Sequence, residues 1–581
     1  MTADTTNPPA VDGETAAEPA TPPARDGHRT RAQRLADPRM SEVMLEVARD
    51  YGVCVRPVAL RRIDVDTGQA IIIDVPCSAT LASKCPSCAE RRRRLRMADC
   101  RIGWHLDAEP VHEPDQPSPE QQWLAAFRSD VQLDRDTAAE HGDTARMGDL
   151  DDVLADLDEQ LRALGVRGRL DPAQDKPRRT RTTRRRQDAP DLPRRKVDPA
   201  TLGRTFTTPD GRVLRPSMAL TLTLGSYGRV LSDGTPADPA SYDYRAAARD
   251  AIHFPKIVDR FWQNMRRAVG YDVQYFATVE PQRRFAPHLH AALRGTISRA
   301  ELRAIVAATY HQVWWPATDE VRYDGGFLPL WDPERETYVD PETGEPLPTW
   351  DDALDDLGAD PDAEPLHVVR FGTQLHAEGM LAGGKQADDW IRYLAKYLTK
   401  AVTECHTAET DRQRDHVERM HAALRYEPCS PTCANWLRYG IQPKNARPQL
   451  QPGYCKGKVH RRETLGLGGR RVLVSRKWSG KSLGDHKHEQ RAWVLDLLNR
   501  IGDTHDGDQA DDLAEPPAAP ARYILEPVKS GDPAVEPLSY RLMRAIADRE
   551  HWRHKLKQAE ELAAGEPFDG TSDLSATTDA A

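Results

Sequence analysis

Three short runs, Ser217-Met-Ala-Leu-Thr-Leu-Thr-Leu224, Tyr275-Phe-Ala-Thr-Val-Glu280 and His288-Leu-His-Ala-Ala-Leu293, alternate apolar with small or polar residues. The first ends at Gly225 and the third at Arg294-Gly295. A period of two sends successive side chains to opposite faces, so each run reads as a β-strand with one face in a core. Between the first two lies a helical pattern from Arg245 to Val269, expected to break near Pro255 because proline removes a helix hydrogen bond. After the third, Ser298-Arg-Ala-Glu301 is a capping-box pattern, and Leu302, Ile305, Val306 and Val313 continue it as an amphipathic helix. Strand, helix, strand, strand, helix specifies an α+β fold, an antiparallel sheet with helices packed on one side.

The remaining sequence divides around that core. Residues 1–40, rich in Ala, Pro, Thr and acids without apolar periodicity, read as a disordered tail. Residues 41–105 read as an N-terminal module, with an amphipathic run followed by the strand-like Ala70-Ile-Ile-Ile-Asp-Val75. Residues 106–197 read as a charged linker; it contains one helical stretch, DLDDVLADLDEQLRALG, and an arginine tract that is either a solvated spacer or a sequence-blind DNA arm. The core is placed at 198–402, with an acidic, turn-rich insertion at about 316–365, a strand from His367 to Phe371 and a helix from Asp388 to Ala401. A basic Cys/His-containing region (403–490) follows, then an acidic linker with a C-terminal helix (491–581).

The formal net charge of −9 argues, taken alone, against a nucleic-acid partner. Charge is sorted along the chain, however. Between Lys456 and Lys481 a basic cluster stands against a single acid, Glu463, whereas residues 501–520 carry acids and no lysine or arginine. The basic segment reads as a DNA-binding surface built from Arg461, Arg462, Arg470, Arg471, Arg476, Lys477 and Lys481, with Trp478 either stacked on a base or held in a local core. A phosphate-loop reading of WSGKS fails, because that motif needs glycine where Ser475 stands. No run approaches the roughly 18 apolar residues of a membrane span and no signal peptide is recognisable. The expectation is a soluble, cytoplasmic bacterial protein with no membrane partner, its nine cysteines serving as thiols or metal ligands.

Two constellations carry the chemistry. In YLAKYLTK, helical geometry puts Tyr393, Lys396, Tyr397 and Lys400 within an arc of about 100°, with Ile391, Leu394 and Leu398 facing the core. The same pattern also describes an amphipathic helix with surface aromatics. On a strand, His288 and His290 project to one face, where two imidazoles suit a divalent cation and Glu280 on the preceding strand adds an oxygen ligand; a pair of exposed strand histidines is the plain alternative. Together they are a complete set for attack on a phosphodiester. A metal polarises a phosphate oxygen, and a metal or ammonium helps a phenol of reference pKa near 10 to ionise.

The cysteines form two groups. Cys77, Cys85, Cys88 and Cys100 have the CxxC knuckle and short spacing of a structural Zn2+ site, giving residues 41–105 a zinc-ribbon-like character, against buried thiols as the alternative. Arg91 to Arg94 and Arg96 would give that module a DNA-facing side. Cys429, Cys433, Cys455 and His460 make a looser second set, while Cys54 and Cys405 have no obvious partners.

The LTLTL strand (220–224), the His288-Leu289-His290 strand and the YLAKYLTK helix, in that order, resemble the three motifs of rolling-circle replication initiators of the HUH endonuclease superfamily. The paired tyrosines are similar to those of bacteriophage gene A proteins. The stretches EPQRRFAPHLHAALRGT, NWLRYGIQPK and GGRRVLVSRKWSGKSL resemble the replication initiators of actinomycete plasmids and integrative conjugative elements, over most of residues 41–490. The resemblance implies that His288 and His290 bind Mg2+ or Mn2+, that Tyr393 and Tyr397 are nucleophiles, and that Lys396 and Lys400 contact the scissile phosphate or the attacking oxygen. One tyrosine would nick origin DNA, single-stranded at the nick site, keeping the 5′ phosphate and freeing a 3′ hydroxyl as primer; the second would act at termination. Host helicase and DNA polymerase are the implied partners. The long His290–Tyr393 separation departs from the pattern. Rival readings are a conjugative relaxase, which usually places its tyrosine ahead of the histidines, a transposase of the same superfamily, or a non-catalytic zinc-dependent DNA-binding regulator.

Overall fold

A computed structural model describes residues 30, 492, 38–488 and 523–563, save 66, 105, 107, 111–116, 165, 167–185, 204, 205, 208, 212, 215, 382, 383, 482, 483 and 530. The tail expected at 1–40 and the acidic linker after 491 therefore lie almost wholly outside the described residues, as does most of the arginine tract. Two compact units emerge, Met1–Arg92 with Gln490–Ala581, and Arg93–Glu489.

In the first unit, helix α1 (Pro38–Asp50) is followed by strands β1 (Val58–Asp64) and β2 (Ala70–Val75) and the start of helix α2 (Pro86–Trp104). Strand β13 (Tyr523–Pro527) pairs antiparallel with β1, and helix α11 (Leu538–Ala563) sends Leu542 and Ile546 into the same small core as Ala48, Val53 and Val55. Arg541 donates to Asp74 Oδ1 (Nε, 2.7 Å) and to the Pro57 carbonyl (Nη2, 3.0 Å). The C-terminal segment is thus part of the N-terminal module's core, a relationship across more than 400 residues that no local pattern announces.

The second unit opens with a helical hairpin, α3 (Pro119–Glu140) and α4 (Thr144–Ala163), inside the interval expected to be linker. Its seam is Leu124, Val131, Leu154, Leu157 and Leu161, and a buried Arg128–Asp158 ion pair (Nε–Oδ1, 2.5 Å) crosses it. Alternating acids along both helices disguise this seam as spacer.

The centre is a six-stranded antiparallel sheet. After a short hairpin of β3 (Phe206–Thr207) and β4 (Val213–Leu214) come β5 (Pro216–Leu224), helix α5 (Tyr244–Val269), β6 (Tyr275–Glu280), β7 (His288–Leu293), helix α6 (Arg299–Ala307) and β8 (Tyr310–Val313). The insertion contributes β9 (Leu330–Asp332), β10 (Thr337–Val339) and helix α7 (Trp350–Ala359); then follow β11 (His367–Leu381), helices α8 (Lys385–Ala395), α9 (Val402–Cys405) and α10 (Asp411–Tyr426), and β12 (Val472–Val474). The order in the sheet is β12-β6-β7-β5-β11-β8. Leu220, Leu222, Leu224, Leu289, Ala291 and Leu293 point to one face, where they meet Phe254, Ile257, Val258 and Phe261 of α5. Ala219, Phe276 and Ala292 point to the other, against Ala387, Ile391 and Leu394 of α8.

The α+β class and the three strands agree with the sequence reading, with two corrections. Helices cover both faces of the sheet rather than one. And α5 runs unbroken through Pro255: the proline sits exposed, while buried Phe254, Ile257 and Val258 around it outweigh the roughly 3 kcal/mol cost of an interior proline. Asp243 caps the helix by accepting from Ala246 N, and Gly270 (φ +80°) ends it in the left-handed conformation. No helix among the described residues is long and apolar enough to cross a membrane.

Candidate active site

Register builds the site. Across β5, β7 and β6, His290 stands opposite Thr221 and Thr278, and His288 opposite Thr223 and Glu280. Because alternate residues share a face, all six side chains belong to the α8 side while the leucines between them fill the opposite core.

The two imidazoles are held by different groups. His290 Nδ1 lies 2.9 Å from Thr221 Oγ1, and its Nε2 lies 2.8 Å from Glu280 Oε2. His288 Nε2 lies 2.6 Å from Thr223 Oγ1, and its Nδ1 lies 3.1 Å from the Gln282 amide nitrogen. Arg284 fixes that amide by donating to Gln282 Oε1 (2.9 Å), and it also donates to Thr223 Oγ1 (2.9 Å). Since the Gln282 nitrogen can only donate, His288 Nδ1 accepts, and its proton sits on Nε2 facing Thr223. The β6–β7 turn that delivers these groups bends through two non-glycine residues of positive φ, Gln282 (+44°) and Phe285 (+58°). Burial pushes His288 down to about 4, so the ring is neutral near pH 7. For Glu280, burial opposes ionisation, but hydrogen bonds from His290 and Tyr397 outweigh it and leave the pKa lowered.

Helix α8 brings the tyrosines. It ends at Ala395, short of the expected Ala401, because the last turn tightens: Lys396 N reaches Tyr393 O as well as Arg392 O, and Leu398 N reaches Ala395 O. Tyr397 therefore lies in the turn just beyond the helix, yet both phenols still face the strand pair. The Tyr393 hydroxyl is 3.3 Å from His290 Nε2, and Tyr397 donates to Glu280 Oε1 at 2.7 Å. The two rings sit edge to face at 5.9 Å, Tyr397 lies parallel to His290, and Trp390 stacks on Tyr393 at 5.2 Å while donating to the Ala291 carbonyl. Ile391 and Leu394 are buried as the helical arc requires, and Leu398 is half-buried. Lys396 and Lys400 are exposed; the Lys396 ammonium sits 5.5 Å over the Tyr397 ring rather than at either phenol oxygen.

Donor atoms of Glu280, His288 and His290 lie within 4.8 Å of one another. Two imidazoles and a carboxylate suit a divalent cation, and the buried Thr278 hydroxyl, opposite His290, has no hydrogen-bond partner among the described residues. Sequence reasoning missed Thr221, Thr223, Gln282, Arg284 and Trp390. The alternation in LTLTL held the signal for the two threonines; nothing local marks the others.

Two sulfur-rich clusters also form. In the first unit the four ligand atoms within 4.8 Å belong to Cys54, Cys77, Cys85 and Cys88. Cys100 is not among them: half of α2 separates it from Cys88, and it is buried with Trp104 and Phe276. Cys54, which has no sequence-near partner, takes its place because the loop after α1 returns to the knuckle, with Cys77 N donating to Cys54 Sγ at 3.3 Å. In the second unit Cys429, Cys433, Cys455 and His460 converge as the sequence reading grouped them. His460 Nδ1 lies 2.7 Å from the Leu424 carbonyl, which turns Nε2 inward to within 3.6 Å of Cys433 Sγ. A Cβ on Gly457 would meet Cys429 Sγ, His460 and Cys455 Sγ at 3.1–3.5 Å, so the chain wraps the cluster closely. Both sets suit a tetrahedral zinc ion.

The basic segment is woven into the fold only in part. Trp478 is 0% exposed, its indole donating to Asp99 O, which decides for a core role over base stacking. Arg471 donates to the Val279 and Lys400 carbonyls, tying β12 to the tyrosine segment. Lys477 pairs with Asp272 and Arg462 with Glu418, while Arg461, Arg470, Arg476 and Lys481 are exposed.

Fold and site together define an α+β protein whose central sheet presents two histidines and a carboxylate to a pair of tyrosines, a donor set suited to work on phosphate esters. Residues 40–548 match the family model described as RepSA, replication initiator protein, pSAM2, and the chain belongs to this family of replication initiators. Origin DNA is the partner that membership implies. No curated protein and no solved structure matches the chain.

Proposed function

We propose that the protein starts rolling-circle replication as an HUH-type, two-tyrosine nickase acting on single-stranded origin DNA. The observation that carries this reading is the convergence of both phenols on the His290–Glu280 pair. A divalent cation, Mg2+ or Mn2+, held by Glu280, His288 and His290 would polarise a non-bridging oxygen of the scissile phosphate.

The rest is the work of the chain's own residues. Thr221 and Thr223 orient the two imidazole rings, Gln282 occupies the His288 Nδ1 lone pair that a cation would take over, and Trp390 and the sheet fix the tyrosines before DNA enters. One phenol oxygen bonds to phosphorus as the bond to the 3′ oxygen breaks; the phenol's proton is lost to solvent and the 3′ oxygen takes a proton from solvent, leaving as a hydroxyl. The 5′ phosphate stays on the tyrosine and the 3′ hydroxyl is the primer that a host polymerase extends behind a host helicase. After one round the second tyrosine attacks the regenerated junction, and strand exchange between the two closes the circle. Lys396 and Lys400, exposed beside the tyrosines, offer ammonium groups to the phosphate.

Incubation with a single-stranded oligonucleotide from the element's own origin and Mn2+ tests this. A covalent protein–DNA adduct that disappears in the Tyr393→Phe/Tyr397→Phe double variant is expected. No adduct on any native-origin substrate would sink the proposal and favour a zinc-dependent DNA-binding regulator.

A further inference from the structure

On the sheet face opposite the tyrosines, a groove of about 1420 Å3 runs between α5, the edge strand β8 and α7. It exceeds the roughly 300–1,000 Å3 of a small-molecule pocket. Along α5, Lys256, Arg260, Gln263 and Arg267 are all exposed, and helical geometry sets them in one stripe about 60° wide and about 16 Å long. Lys256, Arg260 and Arg267 form no ion pair with any described residue, unlike Arg245, Arg249 and Arg266 on the same helix. Arg260 does reach the Tyr310 carbonyl of the edge strand (Nη1, 3.4 Å). The facing side offers the half-buried Trp314 and Trp315, and the Trp314 indole N–H is buried without a hydrogen-bond partner. Asp259 and Asp355 also line the groove, and Lys444 at its far end is paired with Asp351 (2.9 Å).

We infer that this groove binds single-stranded DNA, its phosphates following Lys256, Arg260 and Arg267 and its bases lying against Trp314 and Trp315. A line of unpaired cations beside indole rings is the arrangement that tracks a strand without reading its sequence. A duplex would meet the cations but leave the recessed rings unused, as would an acidic peptide. Because α5 covers the leucine face of β5 and β7 while the tyrosines face the other, the bound stretch is distinct from the one being cut. It is origin DNA flanking the nick, an assignment that rests on the nickase reading for its biological meaning but not for its chemistry.

Fluorescence anisotropy of the full-length protein with oligodeoxythymidine of about 16 nucleotides, which lacks origin sequence, tests this directly. Lys256→Gln/Arg267→Gln should weaken binding about tenfold and flatten the dependence of log affinity on log salt by about 1.4, the loss of two phosphate contacts. Lys256→Glu/Arg267→Glu should weaken it further; the glutamine pair decides if the reversed charges unfold the chain. Adduct formation on a short origin oligonucleotide should be unchanged. Unchanged affinity and salt slope in the glutamine pair, or a loss confined to duplex DNA of equal length, would overturn the inference. A wild-type protein that forms no adduct yet loses oligodeoxythymidine binding in these variants would overturn the nickase reading alone.

Discussion

Tyr397 donates a 2.7 Å hydrogen bond to Glu280 Oε1, and the other oxygen of that carboxylate lies 2.8 Å from His290 Nε2. The carboxylate thereby links the end of α8 to the histidine strand, and the two tyrosines, alike in sequence, become unlike in environment. Tyr393 faces His290 with no carboxylate contact of its own, at a looser 3.3 Å.

On the nickase reading, that asymmetry favours Tyr393 as the first nucleophile. A cation seated on Glu280 and His290 must displace the 2.7 Å Tyr397 hydrogen bond, whereas Tyr393 has only a looser 3.3 Å contact with His290 Nε2 to give up. Tyr393→Phe should cut initial adduct formation at least about 100-fold, and Tyr397→Phe by less than about tenfold. Single-turnover cleavage of a labelled origin strand reads both; equal effects would show that the phenols are interchangeable.

Metal affinity should depend on the groups behind the ligands as well as on the ligands. Thr221→Val keeps the shape of the side chain but removes the hydroxyl at His290 Nδ1, and should weaken Mn2+ binding about tenfold. Glu280→Gln, which removes the only carboxylate of the set, should cost about 100-fold. Titration of Mn2+ by its electron paramagnetic signal reports both without any need for DNA.

The zinc sites can be told apart by counting. Wild-type protein should carry two Zn2+ per chain by mass spectrometry of the metal. Cys54→Ser should lose close to one equivalent and Cys100→Ser none, because Cys54 Sγ lies in the first cluster and Cys100 in an apolar one. The opposite result would restore the Cys77–Cys100 grouping suggested by spacing.

What was legible in the sequence is what repeats locally. The two-residue period of LTLTL and HLHAAL gave the strands and set the histidines on one face, and the leucine stripe of α8 marked Ile391 and Leu394 as core, whereas Tyr393 and Tyr397, expected away from the leucines, turn to that same sheet face. What stayed hidden depends on returns of the chain. Cys54 reaches its cluster through a loop, β13 pairs with β1 across most of the sequence, and β11 runs on to Leu381 past the expected end at Phe371, with an irregularity before Leu375 and through Gly372 and Gly379, which weaken any strand pattern. Charge misled most. In the 456–481 segment Arg471 is spent on backbone carbonyls and Lys477 on Asp272 while Arg461, Arg470, Arg476 and Lys481 stay exposed, and the unpaired cations of α5 sit inside a helix that reads as purely amphipathic.

Arg294 shows how strongly a buried cation can be committed to the fold. Only 3% exposed, at the end of β7, its guanidinium donates to the carbonyls of Gly103 and Trp478 and to Thr201 Oγ1 (2.8 Å), and it lies 5.3 Å from the Trp478 ring. Burial lowers its pKa to about 10, still charged at neutral pH. The group thus fastens α2 and the segment after β12 to the strand that carries both histidines. Arg294→Ala leaves those carbonyls buried without a donor and opens space beside Trp478, and should destabilise the second unit by about 3 kcal/mol or more. Arg294→Lys should recover only part of that, since one ammonium on a flexible stem cannot reproduce the planar fork. Urea unfolding followed by tryptophan fluorescence measures both, and a midpoint within error of wild type for Arg294→Ala would show that solvent replaces the lost donors.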